Sequence, residues 1–230
     1  MRLVKPSATL INVSNNLPSN FIDVCGRICY KSDHIEDPEV WSNFVKARLN
    51  QGHESVIEHV SASVIIVCDR GVSHELVRHR IASYSQESTR YCNYKSDHVA
   101  FIIPCWLTLK EGIYLASTHA YRRGEDYANF VWLDQMLLAE QGYKTLLDSK
   151  WSPQQARSVL PNSLKTELIM TTNLREWRHV FSLRCSKAAH PQMREIMLPL
   201  LHDFYLAMPD FFSDLYEKFF GGKSEREEIN

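Results

Sequence analysis

Residues 60–94 constrain the fold more than any other stretch, because three periods follow one another without a break. Val60 to Cys68 alternates and runs apolar in the manner of a buried strand, and Asp69-Arg70-Gly71 is a turn. Glu75 to Ala82 then has helical spacing, with Leu76, Val77, Ile81 and Ala82 as apolar anchors, and Tyr84 to Tyr94 reads as an extended arm. A strand, turn and helix unit of this kind points to an α+β chain.

The same stretch carries the densest polar chemistry of the sequence. On a helix, Arg78, His79 and Arg80 fan out about 100° apart and serve three directions. That suits ligands or a subunit contact better than it suits a solvated face, which would carry Lys and Glu at i,i+4 spacing. Glu75 and Arg78, three apart, also fit an ordinary ion pair. Beyond them, Ser88 and Arg90 at i,i+2 point the same way on an extended backbone, and a hydroxyl beside a guanidinium suits phosphate.

Elsewhere the pattern alternates strands and helices. Ala8 to Val13 reads as a strand, and Phe21, Ile22, Cys25, Ile28 and Cys29 recur at helical steps. Asp37 caps a second helix that begins at Pro38 and stops near Gly52. Val99 to Ile103 is a strand ended by Pro104, and Leu107 to Ser149 has a long helical pattern with Tyr114, His119, Tyr127, Phe130, Met136 and Tyr143, broken at Gly112, Gly124 and Gly142. Ser152-Pro153 opens a short helix that has Arg157 near its end, and Lys165 to Thr172 is a strand. Asn173 caps a helix on which Arg175 and His179 share a face and Arg184 falls on the opposite side. Met193 to Phe220 is helical, and residues 1–220 form one expected domain, with 221–230 a disordered tail.

A net charge of −1 excludes a protein whose main task is non-specific nucleic-acid binding, so the arginine cluster is local. The six cysteines, Cys25, Cys29, Cys68, Cys92, Cys105 and Cys185, show no repeating pair pattern and read as reduced thiols, buried at Cys25, Cys29 and Cys105. No compact metal motif is present, His53 and His59 included, and no metal is expected. No window approaches the roughly 18 apolar residues of a membrane span, which makes the cytoplasm the expected location.

Taken together, the spacing from Arg78-His79-Arg80 to Ser88 and Arg90-Tyr91 resembles the signature of the flavin-dependent thymidylate synthases. His53-Glu54-Ser55 with Glu58-His59, and Asn173-Leu174-Arg175 with Leu183-Arg184, resemble that family's flanking segments. The resemblance implies an α+β fold with a mixed or antiparallel sheet packed with helices, assembled as a homotetramer with active sites shared between subunits. It implies reductive methylation of dUMP to dTMP, with 5,10-methylenetetrahydrofolate as carbon donor and NADPH-reduced FAD as hydride source. Carried over residue by residue, Ser55, Arg78, His79, Arg80, Gln86, Asn173, Leu174, Arg175 and His179 would hold FAD. Glu75, Arg78, Gln86, Ser88, Thr89, Arg90, Arg157 and Arg184 would hold dUMP, and Arg184 would polarise the uracil.

Four positions depart from the family pattern. Glu75 stands where some members carry Gln, Gln86 where Glu can occur and His179 where Asn can sit; His190 stands where Gln is familiar, and no role is carried onto it. Two other readings compete with the resemblance. One is a flavin-free methyltransferase using Cys105 of Pro104-Cys105-Trp106 as nucleophile. The other is a nucleic-acid binder that stacks bases on Tyr84, Tyr91 and Tyr94.

Overall fold

The computed structural model describes residues 1–115 and 126–221. In chain order its elements begin with β1 (Arg2–Val4), β2 (Ser7–Val13), α1 (Pro18–Tyr30), α2 (Pro38–Asn50), a 3-10 helix (Glu54–His59), β3 (Ser61–Asp69), α3 (Arg70–Leu76) and β4 (Ser83–Gln86). They continue with β5 (Ala100–Ile102), β6 (Gly112–Ile113), α4 (Tyr127–Asp148), α5 (Pro153–Ala156), β7 (Lys165–Asn173), α6 (Leu174–Arg184), α7 (Pro191–Ala207) and α8 (Pro209–Phe220). The fold class is α+β with a mixed sheet. One sheet has the order β5-β1-β6, parallel between β1 and β5 and antiparallel between β1 and β6; the other has the order β2-β3-β7-β4.

Contacts divide the chain into two compact units. The first comprises Met1–Ser7, Ile66–Arg78 and Ser85–Leu168; the second comprises Ala8–Ile65, His79–Tyr84 and the residues from Ile169. In the first unit, Leu3, Val99, Phe101, Leu133, Met136 and Tyr143 close a core around the three-stranded sheet and α4. Glu140 of α4 accepts the Val99 N–H at 2.9 Å, which ties the helix to the start of β5. In the second unit, Trp177 and Phe181 of α6 meet Phe204 of α7 and Phe212 of α8, with ring centroids 5.1–5.8 Å apart. Trp177 also donates its indole N–H to the Ala62 carbonyl at 3.0 Å, so α6 is fixed both by aromatic burial and by one directed bond.

The starts at Asp37 and Asn173 follow the sequence signals, whereas at Asp69 a helix start replaces the turn expected over Asp69-Arg70-Gly71. Asp37 accepts the Glu39 N–H at 2.9 Å, Asp69 the Val72 N–H at 2.7 Å, and Asn173 the Glu176 N–H at 2.9 Å.

Several expectations are overturned. The helix expected over Glu75–Ala82 ends at Leu76, leaving Val77 and Ile81 exposed. Beyond Leu76 side chains hold the main chain: the Tyr84 hydroxyl donates to the His79 carbonyl at 2.9 Å, and the Thr172 hydroxyl donates to that of Ile81. The extended arm is β4 alone. After it, the Ser88 carbonyl accepts the N–H groups of Tyr91 and Cys92, which folds Thr89-Arg90-Tyr91 into a turn.

The long helix begins at Tyr127, not at Leu107. Gly112 has φ 146°, outside the helical region, and pairs with Leu3 in the sheet. His119, Gly124 and the tail from 222 lie outside the described residues. On α1 only Ile22 of the apolar series is buried, while Ile28 is 73% exposed. The thiols of Cys29 and Cys105 are exposed and that of Cys25 is half-buried, which corrects their reading as buried. Cys68 and Cys185 are the buried ones, and burial pushes both thiols up to about 12.

Candidate functional site

The site in the second unit is built from both ends of α6. Its N-terminal turn carries Arg175 and His179 on one face, and these line a cleft of ≈ 640 Å³ with Asn173, Glu54, Glu58 and Ser182. The expected shared face of Arg175 and His179 is therefore present. Arg175 Nη1 lies 2.5 Å from Glu58 Oε1, and both side chains are about half exposed. Behind them, Arg178 makes a two-pronged pair with Asp214 at 2.6 and 2.7 Å and reaches Glu54 at 3.2 Å. Burial opposes ionisation of Asp214, but the Arg178 hydrogen bond and charge outweigh it and hold the carboxyl below its ordinary range. Arg178 thus anchors the 3-10 helix that carries Glu54, Ser55 and Glu58, with Ser55 exposed beside the cleft.

Arg184, the last residue of α6, faces a different neighbour. Its Nε–H donates to His79 Nε2 at 3.1 Å, and His79 Nδ1 lies 3.1 Å from Glu176 Oε1. An arginine N–H can only donate, so Nε2 must accept and the imidazole proton sits on Nδ1, where it donates to the carboxylate. The pKa of His79 agrees with a neutral ring: burial lowers it, the Glu176 hydrogen bond counters in part, and the Arg184 charge adds to the lowering. His179 stands beside His79, with ring centroids 5.8 Å apart. His79, Glu176 and His179 offer ligand atoms within 4.8 Å of one another, although both ring nitrogens of His79 already hold hydrogen bonds.

The three consecutive signature residues do diverge, though on a non-helical backbone. His79 is 5% exposed, whereas Arg78 and Arg80 are exposed and their guanidinium groups make no ion pair or hydrogen bond among the described residues. The Arg78 main-chain N–H donates to the Glu75 carbonyl at 3.3 Å. Leu174 is fully buried and its N–H donates to the Val60 carbonyl, so it packs the start of α6.

In the first unit a second, smaller group forms. Arg157 Nη1 donates to Thr89 Oγ1 at 3.1 Å, and both line a cleft with Arg70, His74, Ser158 and Asn162. Ser88 and Arg90 do not sit side by side on a strand. Instead Ser88 Oγ accepts the Arg90 N–H at 3.3 Å, and the Arg90 guanidinium lies 5.5 Å from the Tyr91 ring centroid. Gln86 donates its amide to Ser73 Oγ and Thr166 Oγ1, both at 3.1 Å.

Glu176 and Arg178 went unnoticed in the sequence, while Glu54 stood there only as part of a flanking motif and Tyr84 only as a stacking surface. For Glu176 a signal existed: it stands three residues before His179, on the same helix face. For Arg178 and Tyr84 none existed, because their partners lie 36 residues away or on the main chain.

Comparison with known proteins agrees with this architecture. A UMP/dUMP methylase, PolB, from Streptomyces cacaoi, solved with 5-Br dUMP bound, has the same fold: TM-score 0.73 over 95% of this chain and 98% of that one, at 22% identity. The family model described as thymidylate synthase complementing protein matches residues 9–210, and the chain belongs to that family. Flavin-dependent thymidylate synthases from Mycolicibacterium gilvum and Geobacter sulfurreducens are 35% and 32% identical to it over 198 and 204 residues. Those alignments cover 84% and 86% of this chain and 78% and 82% of the relatives. No helix among the described residues is long and apolar enough to cross a membrane.

Proposed function

We propose that the protein is a flavin-dependent thymidylate synthase that methylates dUMP to dTMP. The observation that carries this reading is α6, which presents Asn173, Arg175 and His179 to a cleft at one end and holds Arg184 against His79 at the other. Family membership over residues 9–210 supports it and includes residues of both compact units, so residues 1–220 act as one catalytic domain.

The cleft fits FAD in size and donor set. Small-molecule sites run to about 300–1,000 Å³, and a dinucleotide brings a pyrophosphate that needs cationic and N–H donors. Asn173, Arg175 and His179 would hold it from α6, with Ser55 and the exposed Arg80 of the same unit adding donors. The family resemblance adds Arg78, Gln86, Leu174 and His79 to the set, His79 through its main-chain N–H because both ring nitrogens already hold hydrogen bonds. Arg175 is paired with Glu58 at the surface, and such pairs exchange readily. FAD, once reduced by NADPH, supplies hydride chemistry when bound, and 5,10-methylenetetrahydrofolate supplies the carbon.

The chain's own residues then have to bind an anion and stabilise charge on a ring. Ser88, Thr89, Arg90 and Arg157 suit the dUMP phosphate, with Glu75, Arg78 and Gln86 around the nucleoside. Arg184 stabilises negative charge at uracil N3 and its carbonyl oxygens. Its cation survives burial where a lysine could lose its proton. Sites shared between the subunits of a homotetramer give the outward Arg78 and Arg80 their ligands.

The test is a visible spectrum with added FAD, then anaerobic NADPH and dUMP, on wild type and Arg184→Ala. A flavin spectrum in both, bleached by NADPH, with turnover lost on the order of 100-fold only in the variant, is expected. Failure of excess FAD to bind would sink the reading.

A further inference from the structure

We propose that Glu176 and His79 are positioning residues for Arg184: the carboxylate fixes the imidazole tautomer, and the imidazole lone pair fixes the direction of the guanidinium. The proposal rests on the reading of Arg184 as the uracil-polarising group and extends it to two residues that would not touch the uracil.

The geometry leaves little freedom. The chain Glu176 Oε1, His79 Nδ1, His79 Nε2, Arg184 Nε has both links at 3.1 Å, and His79 is 5% and Glu176 9% exposed. Glu176 and Arg184 lie on one helix, eight residues apart, while His79 lies outside it on the segment between α3 and β4. That segment is itself held, since Tyr84 binds the His79 carbonyl and Thr172 that of Ile81. An arginine bound through Nε keeps its two terminal NH₂ groups in a fixed plane, which is what bidentate recognition of a planar ring requires. A flexible guanidinium would have to be ordered at each turnover, and misplacement by about 1 Å can cost 100-fold in rate.

The same chain predicts a pH effect. A protonated His79 can no longer accept from Arg184 and faces it as a second cation. Glu176, His179 and Arg184 of α6 and Tyr84 of β4 are the titratable or charged groups that face His79. Glu176 favours the charged ring, so its removal should push the protonation to lower pH.

Amide isosteres separate the two ring nitrogens. His79→Gln can place an acceptor near the Nε2 position, whereas His79→Asn reaches only the Nδ1 position. With each protein saturated in FAD, expected results are a kcat about 10- to 100-fold lower in His79→Asn, with a smaller change in the KM for dUMP, and a kcat in His79→Gln about 10-fold above that of His79→Asn. The acid limb of the kcat profile should disappear in His79→Gln and move to lower pH in Glu176→Ala. Calorimetric titration of each protein with dUMP, from pH 5 to 8, gives a readout besides turnover. The nucleotide phosphate, with its second pKa near about 6, titrates alike in all of them, so the ratio of affinities to wild type isolates His79.

Equal damage in His79→Gln and His79→Asn, or an acid limb that persists unchanged in His79→Gln, overturns the proposal. Arg184→Ala is run in parallel. If it keeps turnover, the functional reading of Arg184 fails. If it is inactive while both His79 variants keep the wild-type rate and profile, only the positioning role fails.

Discussion

Two parts of the Arg78–Arg90 segment, His79–Tyr84 in the second unit and Ser85–Arg90 in the first, are built on different plans. In the second unit the polar groups form chains that end on charged side chains: Glu176 to His79 to Arg184, and Asp214 and Glu54 to Arg178. In the first unit Gln86, Ser88 and Thr89 direct their side chains to hydroxyls, to a backbone N–H and to Arg157. The first plan sets the direction of cations. The second sets the shape of a turn, so that the Ser88–Arg90 backbone is ordered before any anion arrives. Direction matters where charge develops on a ring; shape matters where a phosphate is gathered by several donors at once.

The largest expected effect breaks the comparison at its base. Trp177→Ala removes a fully buried indole that holds α6 in the second unit, and should cost about 3–5 kcal/mol in urea unfolding. Arg178→Met comes next. It leaves Asp214 without its partner and Glu54 with only the longer contact to Arg175, and since the Asp214 side chain is 54% exposed the loss should be about 2–3 kcal/mol, below that of a fully buried pair. A loss under 1 kcal/mol would mean the pair does not anchor the 3-10 helix.

Two binding measurements sharpen the contrast between the units. Ser88→Ala in the first should weaken dUMP by about 0.5–1.5 kcal/mol while leaving FAD affinity alone. Unchanged dUMP affinity would remove Ser88 from the phosphate site. Glu58→Gln in the second releases Arg175 from a surface pair and should tighten FAD by about 0.2–1 kcal/mol, read by flavin fluorescence. Weaker FAD would show that Glu58 serves the cofactor directly.

The smallest effect is on the pH dependence of stability. His79 in the folded protein is held below its ordinary value of 6.5, so the unfolded chain takes up its proton first. This contribution is complete above 6.5 and is lost as the pH falls from there through the lowered native value. His79→Gln should flatten that part of the curve, and a curve unchanged by the substitution would place the acid sensitivity elsewhere.

Much of this was legible in the sequence wherever the signal is local. Asp37 and Asn173 announce helix starts because a cap is a contact between residues two or three apart. Arg175 and His179 share a face because four residues make about one helical turn. The α+β class, the strand before Asp69 and the position of Arg184 on α6 follow from periods of the same kind.

What the tertiary structure decided are the contacts between residues far apart in the chain. The apolar spacing of Leu76, Val77, Ile81 and Ala82 satisfies a helix, yet the helix ends at Leu76, and the carbonyls of His79 and Ile81 beyond it are held by Tyr84 and Thr172. The bond from Thr172 to the Ile81 carbonyl spans 91 residues, and the one from Arg184 to His79 spans 105. No periodicity can encode a partner at such a distance. The sequence placed the arginines of this protein, and only the folded chain, by pairing some of them and leaving Arg78 and Arg80 to solvent, gave each a direction.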